Sequence, residues 1–295
     1  MTDRRIGVIG TPGKWSTEIL ADALEQRTGF RLVIDMADVT ADLVSGKLAS
    51  HDVNLCDLDG LIVKKISKNY APNTLDRLDL LKLAEAAGVR VFSPSTSIQR
   101  LVNRLTCTMT LQHDGIPMPA TRITEDPDAA MEAVMAFGKA IFKPLYSSKA
   151  QGMILMDAMT PEAETRANII AFGRSNPMMY IQQKVDLPGH DLGMVFLGGE
   201  YIGSYARVAQ GDAWNTTIDS GGKYAPAHPP TDAISIARRA QSLFNMDYTT
   251  VDVALTKNGP IVFEVSAFGG FRGASEGIGI DAAALYAEYA LSSLS

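Results

Sequence analysis

The first 95 residues of the chain alternate short apolar runs with stretches in which apolar positions recur at helical spacing. Residues 16–26 and 74–87 show this spacing, which predicts amphipathic helices, and Gly88 stands where the second helix would end. Strands that alternate with helices favour a parallel sheet wrapped by helices. We therefore expect an α/β unit over residues 1–95. Its strands are predicted at residues 5–10, 30–35, 60–63 and 89–92.

The pattern changes after residue 95, where apolar runs follow one another more closely. A helix is predicted from Ser97 to His113, and Ile116-Pro-Met-Pro119 begins a new unit because proline cannot continue a helix. The rest predicts two α+β units, over residues 96–183 and 184–295. Their strands are predicted at residues 140–144, 153–156, 179–185, 192–197, 200–208, 250–255 and 260–265, and their helices at 162–172, 231–244 and 281–291.

Composition narrows the class of partner. The chain has 295 residues, 46% of them hydrophobic, and a formal net charge of -6, which argues against broad binding to nucleic acid or to anionic membranes. No apolar stretch approaches the roughly 20 residues of a membrane span. Two cysteines without a CxxC pair indicate neither a disulfide framework nor a thiolate metal site. We expect a cytoplasmic globular protein with small-molecule partners, and the sequence leaves its oligomeric state open.

Two acidic residues interrupt apolar strands near the C-terminus. Asp252 lies in the first strand and Glu264 in the second, with a Lys-Asn-Gly-Pro turn between the strands. A lone buried charge costs several kcal/mol. A cation bound by both carboxylates would offset this cost. Mg²⁺ prefers oxygen ligands and binds through one or two carboxylates together with phosphates, so the hairpin fits half of a Mg-nucleotide site. A hairpin with both carboxylates in water fits the same pattern, and the hairpin alone leaves both interpretations open.

Cationic residues at strand ends provide candidates for phosphate binding. Lys143 ends an apolar strand, and the polar loop after it, residues 146–152, contains Lys149 and Gly152, whose ammonium and amide groups could close over phosphates. Arg207 directs a fork of donors towards one face of its strand, which suits phosphate or carboxylate. A solvated lysine and an edge-strand ion pair are the alternatives. Residues 182–185 could present backbone groups to a purine, although an inter-domain linker looks similar.

The first loop, Gly10-Thr-Pro-Gly-Lys14-Trp15-Ser16, is not a Walker A phosphate loop. That motif needs a glycine five residues before its Gly-Lys pair, where this chain has Val8. The loop could still bind an anionic substrate at the N-terminus of its helix. Lys64 and Lys65 follow the strand at 60–63, at an edge where parallel sheets bind ligands, and a solvated pair is the default interpretation for them.

In their order along the chain, these features resemble the ATP-grasp ligases, and in particular the RimK-like carboxylate-amine ligases. The segment from Asn103 to Thr121 is similar to one that carries a nucleotide-binding lysine in the family, with Arg104 in its place. The resemblance covers nearly the whole chain and implies a Rossmann-like N-terminal domain followed by two α+β units that enclose the nucleotide. The nucleotide-binding residues it implies are Arg104, Lys143, Lys149, Gln182, Gln183, Lys184, Val185 and Asp191, and the metal ligands are Asp252, Glu264 and Ser266.

The resemblance also implies a reaction, in which a substrate carboxylate attacks the γ-phosphate of ATP and an amine then attacks the acyl phosphate. Mg²⁺ or Mn²⁺ is the implied metal, and Arg207 and Lys143 are the implied catalytic residues. The substrates implied are a small-molecule or cofactor-precursor carboxylate and an amino acid such as glutamate, with pterin, furan and deazaflavin cofactors among the acceptors of relatives. Residues predicted to face these substrates are Lys14, Trp15, Ser16, Asn215 and Arg272.

Several positions depart from the family pattern. Ser266 replaces a metal-ligating asparagine, Gln183 replaces an acidic hinge residue, and Gly193 stands where relatives carry arginine. Asn215 and Thr217 weaken a typical Trp-Arg-Thr-Asn pattern. Ser266, Gly193 and Asn215 favour a rival class, a nucleotide-binding or regulatory module that keeps the fold without turnover.

Overall fold

The N-terminal unit is built on a parallel sheet of four strands in the order β2-β1-β6-β7. The computed structural model describes residues 3–147, 150–210, 216, 218 and 221–294. All residues of β1 and β6 are buried, as expected for parallel strands covered on both faces. The elements of this unit are β1 (Ile6–Ile9), α1 (Trp15–Thr28), β2 (Val33–Ile34), β3 (Val39–Asp42), β4 (Lys47–Ser50), β5 (Val53–Asn54), β6 (Gly60–Val63), α2 (Asn73–Ala86) and β7 (Arg90–Phe92).

The sequence pattern missed one small sheet, the helix Pro127–Phe137 and the strands Thr121–Thr124 and Lys223–Pro226, and it joined two helices into one. Strands β3, β4 and β5 form an antiparallel sheet within residues 39–54, a stretch too polar for a strand prediction. The predicted helix from Ser97 to His113 is wrong as a single element. It is two helices, α3 (Ser95–Val102) and α4 (Arg104–His113), because Asn103 is extended and its side chain caps α4 by accepting from the N–H groups of Leu105 and Thr106.

The central unit is an antiparallel sheet in the order β10-β9-β11-β8. Phe142 and Ile181 pair across β9 and β11 and pack under α5 and α6, in a core that includes Val134 and Ile169. Side chains alternate along a strand, so Lys143 and Gln182 lie on the opposite face. The elements are β8 (Thr121–Thr124), α5 (Pro127–Phe137), β9 (Lys139–Lys143), β10 (Ile154–Asp157), α6 (Glu162–Ser175) and β11 (Met179–Gln183).

The C-terminal unit is an antiparallel sheet of five strands in the order β14-β13-β12-β15-β16. One face packs its apolar residues, such as Leu192 and Val253, against Ala233 and Ala237 of α7. The opposite face carries Asp191, Arg207 and Asp252, at the alternate positions. The elements are β12 (His190–Leu197), β13 (Glu200–Val208), β14 (Lys223–Pro226), α7 (Thr231–Ser242), β15 (Tyr248–Thr256), β16 (Gly259–Val265) and α8 (Ala282–Ser292).

The last helix returns to the N-terminal sheet. Tyr286 and Ala287 of α8 share a buried core with Leu20 and Leu24 of α1 and with Val8 of β1. The predicted boundaries near residues 95 and 183 separate the three main sheets along the sequence, and as domain limits they stay a prediction. Among the described residues, no helix is both long and apolar enough to cross a membrane.

Candidate nucleotide and metal site

Arg207 lies between two carboxylates on the face of the C-terminal sheet opposite α7. It pairs in register with Asp191, donates to both oxygens of that carboxylate through Nε and a terminal nitrogen, and lies 2.9 Å from Oδ2 of Asp252. Thr216 donates to Asp191 at 2.6 Å. Burial alone would lower the pKa of Arg207, but Asp252 and Asp191 outweigh it and raise that pKa further. The guanidinium therefore stays charged and fixed in orientation, as a residue that meets developing charge must be.

Asp252 and Glu264 pair across β15 and β16, beside a bulge that follows Asp252. Burial raises the pKa of the Asp252 carboxyl to about 7, with Arg207 opposing the shift and Glu264 adding to it. Two neighbouring carboxylates, one of them with its ionisation disfavoured by burial, form a place where a divalent cation would be stabilised. In the described ranges no three acidic, histidine or cysteine side chains converge as a ready-made metal cluster. The donor set fits Mg²⁺ that takes its other ligands from phosphates and water.

Ser266, the third predicted metal ligand, is fixed by its backbone. Its N–H donates to the Thr250 carbonyl at 2.9 Å, and its carbonyl accepts from the Thr249 hydroxyl at 2.7 Å. These two bonds hold the chain beside β15 directly after Glu264. The role of its hydroxyl towards a metal stays a prediction.

Arg104 joins the central unit to the C-terminal sheet. It is 9% exposed, and its guanidinium donates to Glu264 at 2.9 Å, to the Pro144 carbonyl at 3.2 Å and to the Ser147 hydroxyl at 3.3 Å. As the first residue of α4, it occupies this place because the chain breaks at Asn103. Arg104 thus lies between the strand that ends at Lys143 and the predicted metal strand.

Lys143 is held by a chain of polar side chains. Its ammonium donates to Oε1 of Gln182 at 2.5 Å, and the Gln182 amide donates in turn to Thr121 and to the Tyr180 hydroxyl, each at 3.1 Å. Burial lowers the pKa of Lys143 to about 7, Arg104 lowers it further, and Glu264 and Asp252 oppose this. A bound polyphosphate would favour the charged form of this lysine.

In the structure, the residues predicted to contact the purine, 182–185, have different partners. Gln182 is buried, and its side chain serves Lys143. The N–H groups of Gln183 and Lys184 donate to the carbonyls of Ala120 and Lys139, so both amides belong to the sheet edge. Lys184 also approaches Asp186 at 3.5 Å. Contact of residues 183–185, including Val185, with a purine stays a prediction.

Two predicted substrate residues meet across the cleft. The Arg272 guanidinium lies 5.4 Å from the centre of the Trp15 ring, and its ion pair with Glu276 is long, at 3.7 Å. Lys14, which precedes α1, is exposed, and Ser16 is half-buried in its first turn. Burial raises the pKa of the Tyr224 phenol, the charges of Arg207 and Arg272 oppose this shift, and the charge of Asp252 adds to it. The predicted residues Lys149 and Asn215, and also Thr217, lie outside the described residues.

The packing of Tyr205 accounts for Gly193, one of the departures from the family pattern. Gly193 pairs with Tyr205 across β12 and β13, and a Cβ on Gly193 would lie 2.4 Å from Cζ of that ring. A Cβ added to Gly273 or Gly277 would lie 2.1 or 2.5 Å from the same side chain. Tyr205 therefore fills the space that a side chain at position 193 would need.

The interpretation of Lys64 and Lys65 as a solvated pair is wrong. Lys64 is 6% exposed, and its ammonium donates to the Gly269 carbonyl at 2.8 Å. Lys65 is half-buried, with its ammonium 4.6 Å from the Tyr70 ring and 5.3 Å from the Phe268 ring. In the sequence, the position of these two lysines after a parallel strand was the one indication that they could lie near a ligand site.

Comparison with known proteins agrees with this geometry. The family model described as the RimK-like ATP-grasp domain matches residues 102–290. The chain is 25% identical over 265 residues to a tetrahydromethanopterin:alpha-L-glutamate ligase of Methanosarcina acetivorans, covering 85% of this chain and 82% of that protein. It is 25% identical over 282 residues to a probable alpha-L-glutamate ligase of Ectopseudomonas mendocina, covering 94% and 92%.

Solved structures show the same fold. The ATP-grasp ligase PsnB complexed with a minimal precursor superposes with a TM-score of 0.77 at 17% identity, covering 100% of both chains. The D-cycloserine synthetase DcsG superposes with a TM-score of 0.75 at 14% identity, covering 98% of this chain and 99% of that one. The family match extends over more than half of the chain and includes every residue from Arg104 to Arg272 that forms the cleft. The chain therefore belongs to the RimK-like ATP-grasp family and is an ATP-dependent carboxylate-amine ligase.

Proposed function

We propose that this ligase joins L-glutamate, as the amine, to a carboxylate-bearing cofactor precursor, with ATP and Mg²⁺. One arrangement of charged residues carries the proposal. Arg207 lies between Asp191 and Asp252, and Arg104 donates a hydrogen bond to Glu264. This places two fixed guanidinium groups beside paired carboxylates, the groups that phosphoryl transfer needs. The names of the relatives support glutamate as the amine and a pterin-like acceptor.

In the first step, phosphoryl transfer to the substrate carboxylate, each group of residues has its own proposed role. An oxygen of the substrate carboxylate attacks the γ-phosphorus, the bond to the β-phosphate oxygen breaks, and ADP leaves with that electron pair. Arg104, Lys143 and Lys149 would bind the phosphates, and Arg207 would stabilise charge on the transferred group. Asp252 and Glu264, with Ser266 beside them, would hold Mg²⁺ or Mn²⁺, which neutralises phosphate oxygens when bound. Gln183, Lys184 and Val185 would face the purine.

In the second step the amine attacks the carbonyl carbon of the acyl phosphate, and phosphate leaves. Arg272 is the proposed partner of an amino-acid carboxylate, because its long ion pair with Glu276 leaves the guanidinium mostly exposed. Trp15 orients it by stacking. Lys14, Ser16 and Asn215 are proposed to line the same end of the cleft.

Measurement of ADP release tests the proposal. L-glutamate would be offered with a panel of pterin, furan and deazaflavin carboxylates, with D-glutamate and L-aspartate as matched amines, and products identified by mass spectrometry. We expect ADP release that requires L-glutamate and one class of acceptor. Tight ATP binding without any ADP release that depends on substrate would reject ligation and favour the regulatory module that Ser266 and Asn215 suggest.

A further inference from the structure

A short segment follows the predicted metal strand and comprises residues 266–272, which we call the connecting arm. At its start, the N–H of Ser266 donates to the Thr250 carbonyl of β15 at 2.9 Å. Further on, a Cβ on Gly269 would lie 2.6 Å from the Tyr248 ring of the same strand. The backbone of the arm therefore lies directly against the C-terminal sheet.

Lys64 binds the connecting arm from the N-terminal unit. Its backbone N–H donates to the Ile9 carbonyl at 2.8 Å, which fixes the residue at the end of β6. Its side chain is buried, and the ammonium donates to the Gly269 carbonyl at 2.8 Å. The same ammonium lies 4.3 Å from the centre of the Phe271 ring. The middle of the arm is thus bonded to the N-terminal sheet as well as packed against β15.

The charge of Lys64 is not offset by a carboxylate among the residues that the structure describes. Burial and, to a smaller extent, the charge of Lys65 lower the pKa of its ammonium to about 7. An uncompensated buried charge lowers the stability of a fold, and an apolar side chain of similar volume avoids that cost. Lys64 therefore supplies a directed contact while lowering stability, which favours a positioning role over a structural one.

The connecting arm ends at Arg272, which faces the N-terminal unit. Arg272 follows Gly269 by three residues, a separation of at most roughly 10 Å along an extended chain. Its guanidinium lies 5.4 Å from the centre of the Trp15 ring, at the start of α1. Trp15 and Lys64 belong to the same unit, so that unit both holds the Gly269 carbonyl and contacts the Arg272 side chain. A shift of Gly269 would move Arg272 relative to Trp15.

We propose that Lys64 is a positioning residue for the amino-acid site, because its bond to the Gly269 carbonyl places the Arg272 guanidinium against Trp15. The inference rests on the proposed function, in which Arg272 binds the carboxylate of L-glutamate. Without the bond, the arm would have to become ordered when glutamate binds, and that ordering lowers affinity. The predicted phosphate-binding residues lie on other elements, so the affinity for ATP should not depend on Lys64.

Steady-state kinetics of the full-length enzyme test the inference, with L-glutamate varied against ATP, Mg²⁺ and the acceptor that supports ADP release. Lys64→Met should raise KM for L-glutamate about tenfold, the scale of one lost hydrogen bond from a charged group, and leave KM for ATP unchanged. Lys64→Arg should restore most of the affinity, because arginine keeps a donor and a charge at the arm. Lys68→Met, at an exposed lysine of the same unit, should behave as the wild type does.

Stability measurements separate positioning from structural support. Lys64→Met removes an uncompensated buried charge, so its melting temperature at pH 7 should not fall below that of the wild type. Ile169→Val, in the core of the central unit, should lower the melting temperature without changing KM for L-glutamate. A higher KM in Lys64→Met without a lower melting temperature would therefore not be an effect of unfolding.

A double-mutant cycle shows whether Lys64 acts through Arg272. In the Arg272→Ala background, Lys64→Met should cause no further rise in KM for L-glutamate, because the side chain that Lys64 places is already absent.

The fluorescence of Trp15 reports on the arm without any substrate. Trp214→Phe would leave Trp15 as the single tryptophan of the chain. In that background, Arg272→Ala and Lys64→Met should each increase quenching by acrylamide, because the guanidinium no longer lies against the ring. Lys64→Arg should leave the quenching as it is.

Several outcomes would overturn the positioning role. These are an unchanged KM for L-glutamate in Lys64→Met, an equal rise in its KM for ATP, effects that multiply in the double variant, unchanged quenching of Trp15, and a Lys64→Met variant less stable than Ile169→Val. Any of them, in an enzyme whose ADP release requires L-glutamate, would reject the positioning role alone. A wild type without substrate-dependent ADP release would reject the proposed function, and this role with it.

Discussion

Arg104 and Glu264 are 160 residues apart in the chain, yet the Arg104 guanidinium donates to the Glu264 carboxylate at 2.9 Å. This ion pair spans the cleft between the central unit and the C-terminal sheet. The Arg104 side chain is 9% exposed and that of Glu264 is 42% exposed, so the pair is only partly shielded from solvent. Its position makes it the direct link between the predicted phosphate-binding residues and the predicted metal strand.

If Mg²⁺ binds through this carboxylate, Glu264→Gln should lower ligase turnover at least about a hundredfold. The substitution keeps the shape of the side chain and removes its charge, so Arg104 would lose the carboxylate to which it donates. ADP release would be measured against Mg²⁺ concentration, with the exposed Glu200→Gln as the control. Unchanged turnover in the Glu264 variant would reject the metal assignment.

Arg207→Met should lower both stability and activity. It would leave Asp191 and Asp252 as neighbouring buried carboxylates without their cation, which we expect to cost about 2–4 kcal/mol in free energy of unfolding. Urea denaturation would measure this cost. In the double variant Arg207→Met with Asp252→Asn the cost should be smaller, since one of the stranded charges is gone. Equal costs in the single and double variants would contradict the ion-pair account.

The pH dependence of stability should carry the signature of Lys64. Burial, with a smaller contribution from Lys65, lowers its pKa from 10.5 to about 7 in the folded state. Between these two values the unfolded chain binds the extra proton, so Lys64 makes stability rise with pH from about 7 towards 10. Lys143 acts in the same direction, whereas Asp252 titrates in the folded state near the lower limit of this window.

Lys64→Met should therefore flatten the rise of melting temperature between pH 7 and 10, while Lys68→Met should leave the slope as it is. Thermal unfolding in buffers of matched ionic strength would measure both slopes. A wild-type slope retained by Lys64→Met would show that the lysine does not titrate in that range.

Arg272→Ala should raise KM for L-glutamate about tenfold or more and leave the affinity for ATP unchanged, because the lost interaction is a charge-assisted hydrogen bond to the amino acid. Arg238→Ala, at another half-exposed arginine, is the matched control. Steady-state kinetics with glutamate as the varied substrate would measure the effect. Equal KM values in both variants would remove Arg272 from the proposed glutamate site.

Gly193→Ala should destabilise the protein by about 1–3 kcal/mol, since the new Cβ meets the Tyr205 ring in a packed region. Gly193→Ala combined with Tyr205→Leu should recover part of the loss, because the smaller side chain vacates the space. Denaturation midpoints would compare the variants with Tyr205→Leu alone. An additive loss in the double variant would contradict the proposed steric relationship.

Several elements and site residues could be predicted because their signals are local. The strand at Glu200–Val208 has its predicted bounds, and β1, β6, β15 and β16 lie where apolar runs end in charged or glycine residues. Asp252, Glu264 and Arg207 were identifiable as charges placed within apolar strands, where burial demands a partner. The break at Asn103 was missed, although asparagine is a preferred N-cap residue.

Other features had no local signal. Lys64 and Lys65 both contact residues about 200 positions later in the chain. The Lys64 to Gly269 bond spans 205 positions, and Phe268 provides one of the aromatic rings near Lys65. Gln182 looked like a hinge residue but its side chain holds Lys143, because the register of β9 and β11 brings them together. Nothing in the sequence around Tyr205 indicated that its ring packs against Gly193, Gly273 and Gly277.

The sequence by itself determined the parallel α/β unit, the α+β character of the rest and the strand positions that carry charge, because alternation and helical spacing depend on neighbouring residues. Only the tertiary structure decided which charges meet. Arg104 reaches Glu264, Arg207 reaches Asp252, and Lys64 is buried, since the packing of three sheets selects partners that lie far apart in the chain. The free energy of a buried charge depends on those partners, so the environment of each charged residue followed from the fold.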